Sequence, residues 1–307
     1  INSRRIIFAN LVLRGGGAVL ASIFIINTPE VIGLVGSGPA QQTLNIHLIF
    51  NLSLLILALP FVGLVNKLLS QFMLERLNGS DSIKNISTLD PAALNRPQRG
   101  LDCAARELLG IGQKIEQMLI SVKPLYNSWD SGTAKIIKSQ DKTIKLMHLD
   151  VKLYLAKLGK IGLDEDQSTR SMELAAISSS FDAASSAIAS NMLSLARRLE
   201  NKGLHFSKKG SKEINDFSDR ILSNVQLALN VMMNQNPGEA EELVAAKDKI
   251  RTVEQKLQRQ HIGRLREGLA ESIETSNIHQ ETLRALKQIN TSFCIVGYSI
   301  LSKSDDI

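Results

Sequence analysis

The chain has 307 residues, of which 44% are hydrophobic, 21% charged and 4% aromatic, and its formal net charge is +6. The charges are segregated, because only five of the 36 basic and 30 acidic side chains lie in the first 70 positions. This excludes a single evenly mixed globular domain, and the sparse Gly and Pro exclude collagen-like and disordered chains. Two cysteines without a spacing pattern predict neither a disulfide framework nor a thiolate metal site. The mild, evenly divided charge gives no reason to predict nucleic acid as a partner.

Two long apolar stretches occupy most of the first 70 residues. One covers residues 6–26 with Arg14 as its single charge, and the other covers residues 44–65 without a formal charge. About 20 mostly apolar residues suffice for a helix to cross a bilayer. We therefore predict a transmembrane segment in residues 1–75 with two transmembrane helices, followed by a linker at residues 76–89. Buried helices of a large soluble core are the alternative.

The charges around these stretches predict an orientation. The connecting loop, residues 27–43, contains no Lys or Arg, whereas Arg4 and Arg5 precede the first stretch and Lys67 and Arg76 follow the second. Because basic residues concentrate in cytoplasmic flanks, both outer ends are expected in the cytoplasm. The charge-dense remainder of the chain should then be cytoplasmic too.

Five polar side chains lie within the two apolar stretches: Arg14, Asn10, Asn45, His47 and Asn51. Polar groups at membrane depth cost on the order of a few kcal/mol and usually face a bundle interior or an aqueous path. These five are therefore our candidates for lining a substrate path. The structural alternative is that the Asn side chains join helices and that Arg14 reaches the interface or lies in a re-entrant segment.

From Leu101 onward the apolar residues recur at helical spacing, and no strand-type alternation occurs. Asp90-Pro91 and Asn236-Pro237 are typical of helix N-termini. Residues 90–303 are thus predicted to be all-α, with two three-helix bundles at about 90–205 and 208–303. The helices should be separated by breaks at residues 129–133, 159–164, 201–211, 236–238 and 267–268.

Catalytic patterns are missing from the sequence. It contains no Gly-rich phosphate loop ending in Lys-Ser/Thr, no HExxH and no serine elbow. The histidines are far apart in the chain, so surface or packing roles are predicted for His47, His148, His205, His261 and His279. We expect no enzymatic activity and no bound cofactor.

Several strings resemble those of bacterial sodium/phosphate cotransporter family proteins. In the membrane part these are RRIIFANLVLRGGGA (Arg4 to Ala18) and PAQQTLNIHLIFNL (Pro39 to Leu52). The downstream part resembles the PhoU-like helical domain that is fused to that transporter. It does so in LDCAARELLGIGQKIEQML (Leu101 to Leu119), FSKKGSKEI (Phe206 to Ile214), HIGRLREG (His261 to Gly268), SIETSNIHQETLRALKQIN (Ser272 to Asn290) and GYSIL (Gly297 to Leu301).

The resemblance implies sodium-dependent transport of inorganic phosphate across the bacterial inner membrane by a multi-pass protein. Sodium and phosphate would be the transported ions, and alternating access around a midplane site would move them. The cytoplasmic PhoU-like domain would regulate transport through a partner, and a homo-oligomer is an option. The alternative is a membrane-anchored helical signalling protein of phosphate homeostasis without transport activity of its own.

The chain departs from the family pattern at two places. The family's Gln-Ser-Ser-Ser type motifs are absent, and the nearest string, Gln41-Gln42-Thr43, does not match them. Because the chain also begins with Ile, we expect it to be an N-terminally truncated piece whose principal substrate residues lie upstream. PhoU-like domains often carry Glu-Arg-x-x-Asp motifs that bind metal clusters. Here one stretch keeps Glu200 but has Leu204, and the other has Lys287 and Thr291, so no metal cluster is predicted.

Overall fold

The structure is a computed structural model that describes residues 2–58 and 87–301. The chain divides into two compact units, residues 1–85 and 86–307. Each regular element of the described ranges is helical, which confirms the predicted all-α fold class.

Within its described residues the first unit contains α1 (Asn2–Asn27), α2 (Glu30–Leu34) and α3 (Pro39–Ala58). Helices α1 and α3 contact each other. At the end of α1, Asn27 and Thr28 each bond a main-chain carbonyl four residues earlier, at 2.7 Å. These local bonds compete with continuation of the helix, and Pro29 then removes a further donor.

In the described residues of the chain, no helix is both long and apolar enough to cross a membrane. The first predicted span lies in α1, where Arg14 and three glycines lower the hydropathy. The second overlaps α3, which begins with the polar sequence PAQQT, and its residues 59–65 lie outside the described ranges. The prediction of two transmembrane helices is therefore unsupported by the described helices. Most of the predicted linker, residues 76–86, also lies outside them.

The second unit begins, as far as it is described, with a first bundle of three helical segments. A 3-10 turn at Pro91–Asn95 precedes α4 (Pro97–Val122), and a second such turn, Lys123–Tyr126, precedes α5 (Ser131–Gly159). The third segment comprises α6 (Glu165–Ser186), a π-helical turn (Ala187–Met192) and α7 (Leu193–Lys202). Helices α4, α5 and α6 all contact one another.

The second bundle has the same number of long segments. It consists of α8 (Lys208–Asn234), α9 (Pro237–Arg266) and α11 (Ser276–Leu301), with the short α10 (Ala270–Glu274) before α11. Helices α8, α9 and α11 contact one another in pairs.

The helix ends follow from local chemistry. Asp90 and Asn236 each accept a bond from a main-chain N–H of the following turn at 2.9 Å, which confirms both predicted N-termini. Helix α7 ends before Gly203, whose φ of 61° lies in the left-handed region that favours glycine. All five predicted breaks coincide with ends of helices. The π-helical turn and the short α10 were not predicted.

The two bundles share one hydrophobic core. The rings of Phe181 on α6 and Phe293 on α11 pack with centroids 4.5 Å apart. Helix α4 also approaches α8 closely at Gly112, where a Cβ atom would lie 2.5 Å from Cδ2 of Leu229. Because Gly112 has no side chain, these two helices can pack this closely.

Candidate functional site

In the first unit, the structure brings two of the five predicted path residues together. Nη2 of Arg14 on α1 donates to Oδ1 of Asn51 on α3, at 3.4 Å. The amide nitrogen of Asn51 in turn donates to the main-chain carbonyl of His47, at 2.8 Å. The guanidinium is therefore held beside α3 by a long hydrogen bond to an uncharged amide, and it has no carboxylate partner among the described residues.

The other predicted path residues have different environments. Nδ2 of Asn45 donates to the main-chain carbonyl of Val35 at 2.7 Å, so this side chain ties α3 to the end of α2. His47 contributes its carbonyl to the contact with Asn51. Asn10 belongs to α1, but its side chain lies outside the described part of the structure. The path role predicted for these residues stays a prediction.

An apolar cavity of about 240 Å³ lies between α1, α2 and α3. Its lining is almost entirely hydrophobic and includes Ala21, Phe24, Val31, Ile32, Ile46 and Phe50. Of the three glycines beside Arg14, Gly17 alone meets a neighbour, because a Cβ there would lie 2.6 Å from Cδ2 of Leu54. That glycine permits the close approach of α1 and α3 at this level.

The second bundle contains a polar cluster in which three side chains are buried and two, Glu213 and Ser276, are partly buried. We call it the Glu213 cluster: Glu213, His261, Arg264, Ser276 and His279. Arg264 donates to both carboxylate oxygens of Glu213, at 2.5 and 2.7 Å. His261 Nε2 lies 2.8 Å from Ser276 Oγ, and the rings of His261 and His279 stack with centroids 4.7 Å apart. The cluster therefore joins α8, α9 and α11.

The electrostatics of the cluster favour an ion pair flanked by a neutral imidazole. Burial alone would raise the pKa of Glu213, but its contacts with His279 and Arg264 more than offset this, and the pKa is lowered. The pKa of His261 falls to about 4, first because of burial and then because His279 and Arg264 lie close to it. Hence at neutral pH Glu213 is charged and His261 is not.

Besides Nε2 of His279, which lies 3.3 Å from Oε2 of Glu213 without a hydrogen bond of good geometry, two polar atoms of the cluster have no hydrogen-bond partner among the described residues. They are Nε of Arg264 and Nδ1 of His279, and both side chains are buried. The ring of His279 makes an edge contact with Phe206, with centroids 5.8 Å apart. The arrangement can hold helix ends together, and it gives the second bundle a charged, pH-sensitive interior.

A second ion pair, between a partly exposed lysine and a buried carboxylate, lies at a position that the family resemblance singles out. Nζ of Lys287 on α11 lies 2.6 Å from Oε2 of the buried Glu254 on α9. Lys287 stands where the PhoU-like motif would have an acidic residue. Here its ammonium group neutralises the carboxylate of Glu254 on the neighbouring helix. Within the described ranges, no group of three or more His, Cys, Asp or Glu is arranged to hold a metal ion.

Sequence reasoning missed the Glu213 cluster. It treated His261 and His279 as unrelated, although the structure stacks their rings. The available signal was that three of the strings resembling PhoU-like domains contain the cluster residues: FSKKGSKEI, HIGRLREG and SIETSNIHQETLRALKQIN.

The fold of the second unit is that of PhoU, which confirms the predicted PhoU-like helical domain. The phosphate transport system regulatory protein PhoU from Streptococcus pneumoniae superposes with a TM-score of 0.60 at 14% identity, over 69% of this chain and 98% of that protein. PhoU from Pseudomonas aeruginosa superposes with a TM-score of 0.62 at 14% identity, over 67% and 98%. At this identity the likeness concerns the fold alone.

Relatives by sequence carry a phosphate-related name. The "Putative inorganic phosphate export protein YjbB" of Escherichia coli (strain K12) is 27% identical over 99% of this chain and 56% of its own length. The protein of the same name from Salmonella typhimurium is 26% identical over 99% and 55%. The chain thus spans about half the length of the curated relatives it matches. No family model matches it.

Proposed function

We propose that this chain belongs to a protein that moves inorganic phosphate across the bacterial inner membrane, with the PhoU-like unit as its regulator. The observation that carries this proposal is how much of the chain is covered by its sequence relatives and how much by the PhoU structures. The relatives align along 99% of the chain, whereas PhoU structures cover 69% of it, close to the share of the second unit. Similarity to proteins that are named for phosphate export therefore includes the first unit, which PhoU lacks.

The proposal includes coupling to sodium, which the strings of the first unit support through their resemblance to sodium/phosphate cotransporters. The relatives are named for export of phosphate, so movement of phosphate out of the cell is the direction to examine first. The two directions use the same path, and the sign of the net ion gradients selects between them.

The first unit is proposed to be the membrane part and the second to be cytoplasmic. The support for this comes from the apolar stretch at 44–65, which extends beyond the described end of α3, and from the loop without basic residues at 27–43. In this setting the proposed partners are the lipid bilayer, the two transported ions and a cytoplasmic regulatory protein. Neither enzymatic activity nor a cofactor is part of the proposal.

Arg14 is proposed to attract phosphate toward the path. It is a cation in an apolar helix, and the amide of Asn51 that accepts its bond at 3.4 Å is uncharged, so an anion could compete for the guanidinium. We expect Arg14→Gln to raise the KM for phosphate about tenfold, equivalent to about 1.4 kcal/mol. Arg14→Lys should retain most of the affinity, because the charge remains.

The experiment is flux of labelled phosphate in proteoliposomes that contain the complete protein, with a sodium gradient and with a matched potassium gradient. Flux that requires sodium and falls in the Arg14→Gln variant supports the proposal. Flux that is equal in both gradients removes sodium coupling but retains transport. The absence of flux from correctly inserted protein would instead favour the anchored regulatory protein.

A further inference from the structure

The outer face of α5 carries an apolar stripe that the fold does not use. Leu146, Leu149 and Leu153 are 65%, 51% and 52% exposed. Their spacing of three and four residues places them on one side of the helix. A row of leucines in water is unusual on a soluble helix and indicates an interaction surface.

Helix α5 already has a complete buried face on its other side. Ile137, Ile144, Val151 and Leu158 are fully buried in the core. The three leucines are therefore a second apolar face, beyond what the bundle needs for folding. We call this face, with the lysines described next, the α5 face.

Lysines surround the stripe. Asp150 is the one exposed acidic residue of α5. Seven exposed lysines lie on or directly after this helix: Lys135, Lys138, Lys142, Lys145, Lys152, Lys157 and Lys160. The other acid of the helix, Asp141, is buried and is paired with Lys145 at 2.6 Å. At a rise of 1.5 Å per residue, the lysines extend along about 38 Å of the surface.

We propose that the α5 face docks on an anionic lipid surface. Leucines flanked by lysines on one helix are the pattern of a helix that lies in a membrane interface, with its apolar side chains among the lipids and its cations at the headgroups. Lysine stems can extend past the leucines toward the headgroup phosphates. A protein interface is the poorer fit, because lysine is depleted in such interfaces.

The corresponding helix of the second bundle lacks this pattern. Helix α9 exposes one large hydrophobic side chain, Ile262, within the described residues. Its exposed charges are of both signs, for example Glu241, Glu242, Lys247, Asp248 and Lys249. The lysines and leucines of α5 are thus a property of one helix and do not follow from the fold.

The test places a reporter on the stripe. The 307-residue chain with Leu149→Cys is labelled with a polarity-sensitive thiol dye, and the native Cys103 and Cys294 are buried and so do not react. The labelled chain is reconstituted into vesicles of phosphatidylcholine alone or with phosphatidylglycerol. With phosphatidylglycerol we expect blue-shifted emission that brominated lipid chains quench. Both signals should disappear near 1 M salt, where the Debye length is about 3 Å.

Charge variants provide the matched control. Lys142→Gln together with Lys157→Gln should lower the ratio of docked to undocked chain about 25-fold, or about fivefold per lysine. The same pair of changes on α9, Lys249→Gln with Lys256→Gln, should leave it unchanged. A dye at Met233→Cys, on an exposed position of α8, should show no shift.

Three results would overturn the proposal. They are no shift with phosphatidylglycerol, an equal shift in both vesicle types that persists in high salt, and a shift in phosphatidylcholine alone that grows with the density of chains. The last result would identify a second copy of the chain as the occupant. Because the dye signal requires neither phosphate nor flux, failure of docking and failure of transport are separate results.

Discussion

The second helices of the two bundles in the PhoU-like unit differ in the apolar side chains that they expose and in the charged side chains that they bury. The second helix of the first bundle, α5, exposes Leu146, Leu149 and Leu153. The second helix of the second bundle, α9, buries the charged side chains Glu254 and Arg264. Two bundles of the same architecture therefore differ at corresponding helices, in the exposed leucines of one and the buried ion-pair residues of the other.

This difference separates internal organisation from contact with the surroundings. A buried ion pair costs desolvation energy that can exceed its attraction, so its net contribution to stability is small although the loss of one partner is costly. An exposed leucine costs little in water, but it gains free energy whenever an apolar partner covers it. The second bundle is thus held together by an internal ion pair, whereas the first exposes an apolar surface that a partner can cover.

The largest expected effect comes from breaking the Glu213 cluster. Glu213→Ala leaves Arg264 buried without its bidentate partner, and we expect the free energy of unfolding to fall by about 3–5 kcal/mol. Denaturant unfolding measures this change. As a control, Glu200→Ala removes an exposed carboxylate on α7 and should change stability by less than about 0.5 kcal/mol. A similar small effect at Glu213 would contradict the role assigned to the cluster.

A smaller effect is expected where the two bundles join. Gly112→Ala introduces a Cβ that would lie 2.5 Å from Leu229 and 3.1 Å from Phe181, and this overpacking should cost about 1–3 kcal/mol. Gly110 lies two positions earlier on α4 and meets no neighbour within 4 Å. Gly110→Ala should therefore stabilise the helix by about 0.5–1 kcal/mol. Equal effects at the two positions, measured by thermal unfolding, would show that α4 and α8 do not pack this closely.

The third effect is a dependence of the free energy of unfolding on pH, which is small for each pH unit. The pKa of His261 is lowered from 6.5 to about 4 in the folded chain, so the unfolded chain binds more protons between these values. Stability should therefore decrease as the pH falls from about 6.5 to about 4, by at most about 1.4 kcal/mol per pH unit for this group. The lowered pKa of Glu213 adds a loss in the same direction, at pH values below about 4.5.

The variant His261→Gln isolates this contribution. It should flatten the dependence between pH 6.5 and about 4.5, whereas His205→Gln, at an exposed position, should leave it intact. If the slope in this range survives His261→Gln, another group is responsible for it.

Much of the fold of the second unit could be predicted from the sequence, because it depends on local signals. Asp90 and Asn236 before proline predict helix starts, and Gly203 stands where a helix ends. These residues act on the backbone next to them, so one chain suffices to interpret them. The π-helical turn has no comparable local signal, and it was missed.

The candidate sites depend on contacts between distant positions, which a single sequence does not reveal. Arg14 and Asn51 are 37 positions apart, and both were predicted as path residues without the bond between them. His261 and His279 belong to different helices. On α5, the exposed Leu149 and the buried Val151 both contribute to the apolar pattern, so the pattern predicts a helix without showing which side faces water.

The contact between Phe181 and Phe293 has a consequence for how the PhoU-like unit can be divided. Residues 203–207 connect two bundles of similar length, so a gene could be divided there to express each bundle as a separate chain. Each half would then expose one ring of this pair and part of a shared core. Co-expressed halves should accumulate only when both are present, because neither is a complete folding unit alone.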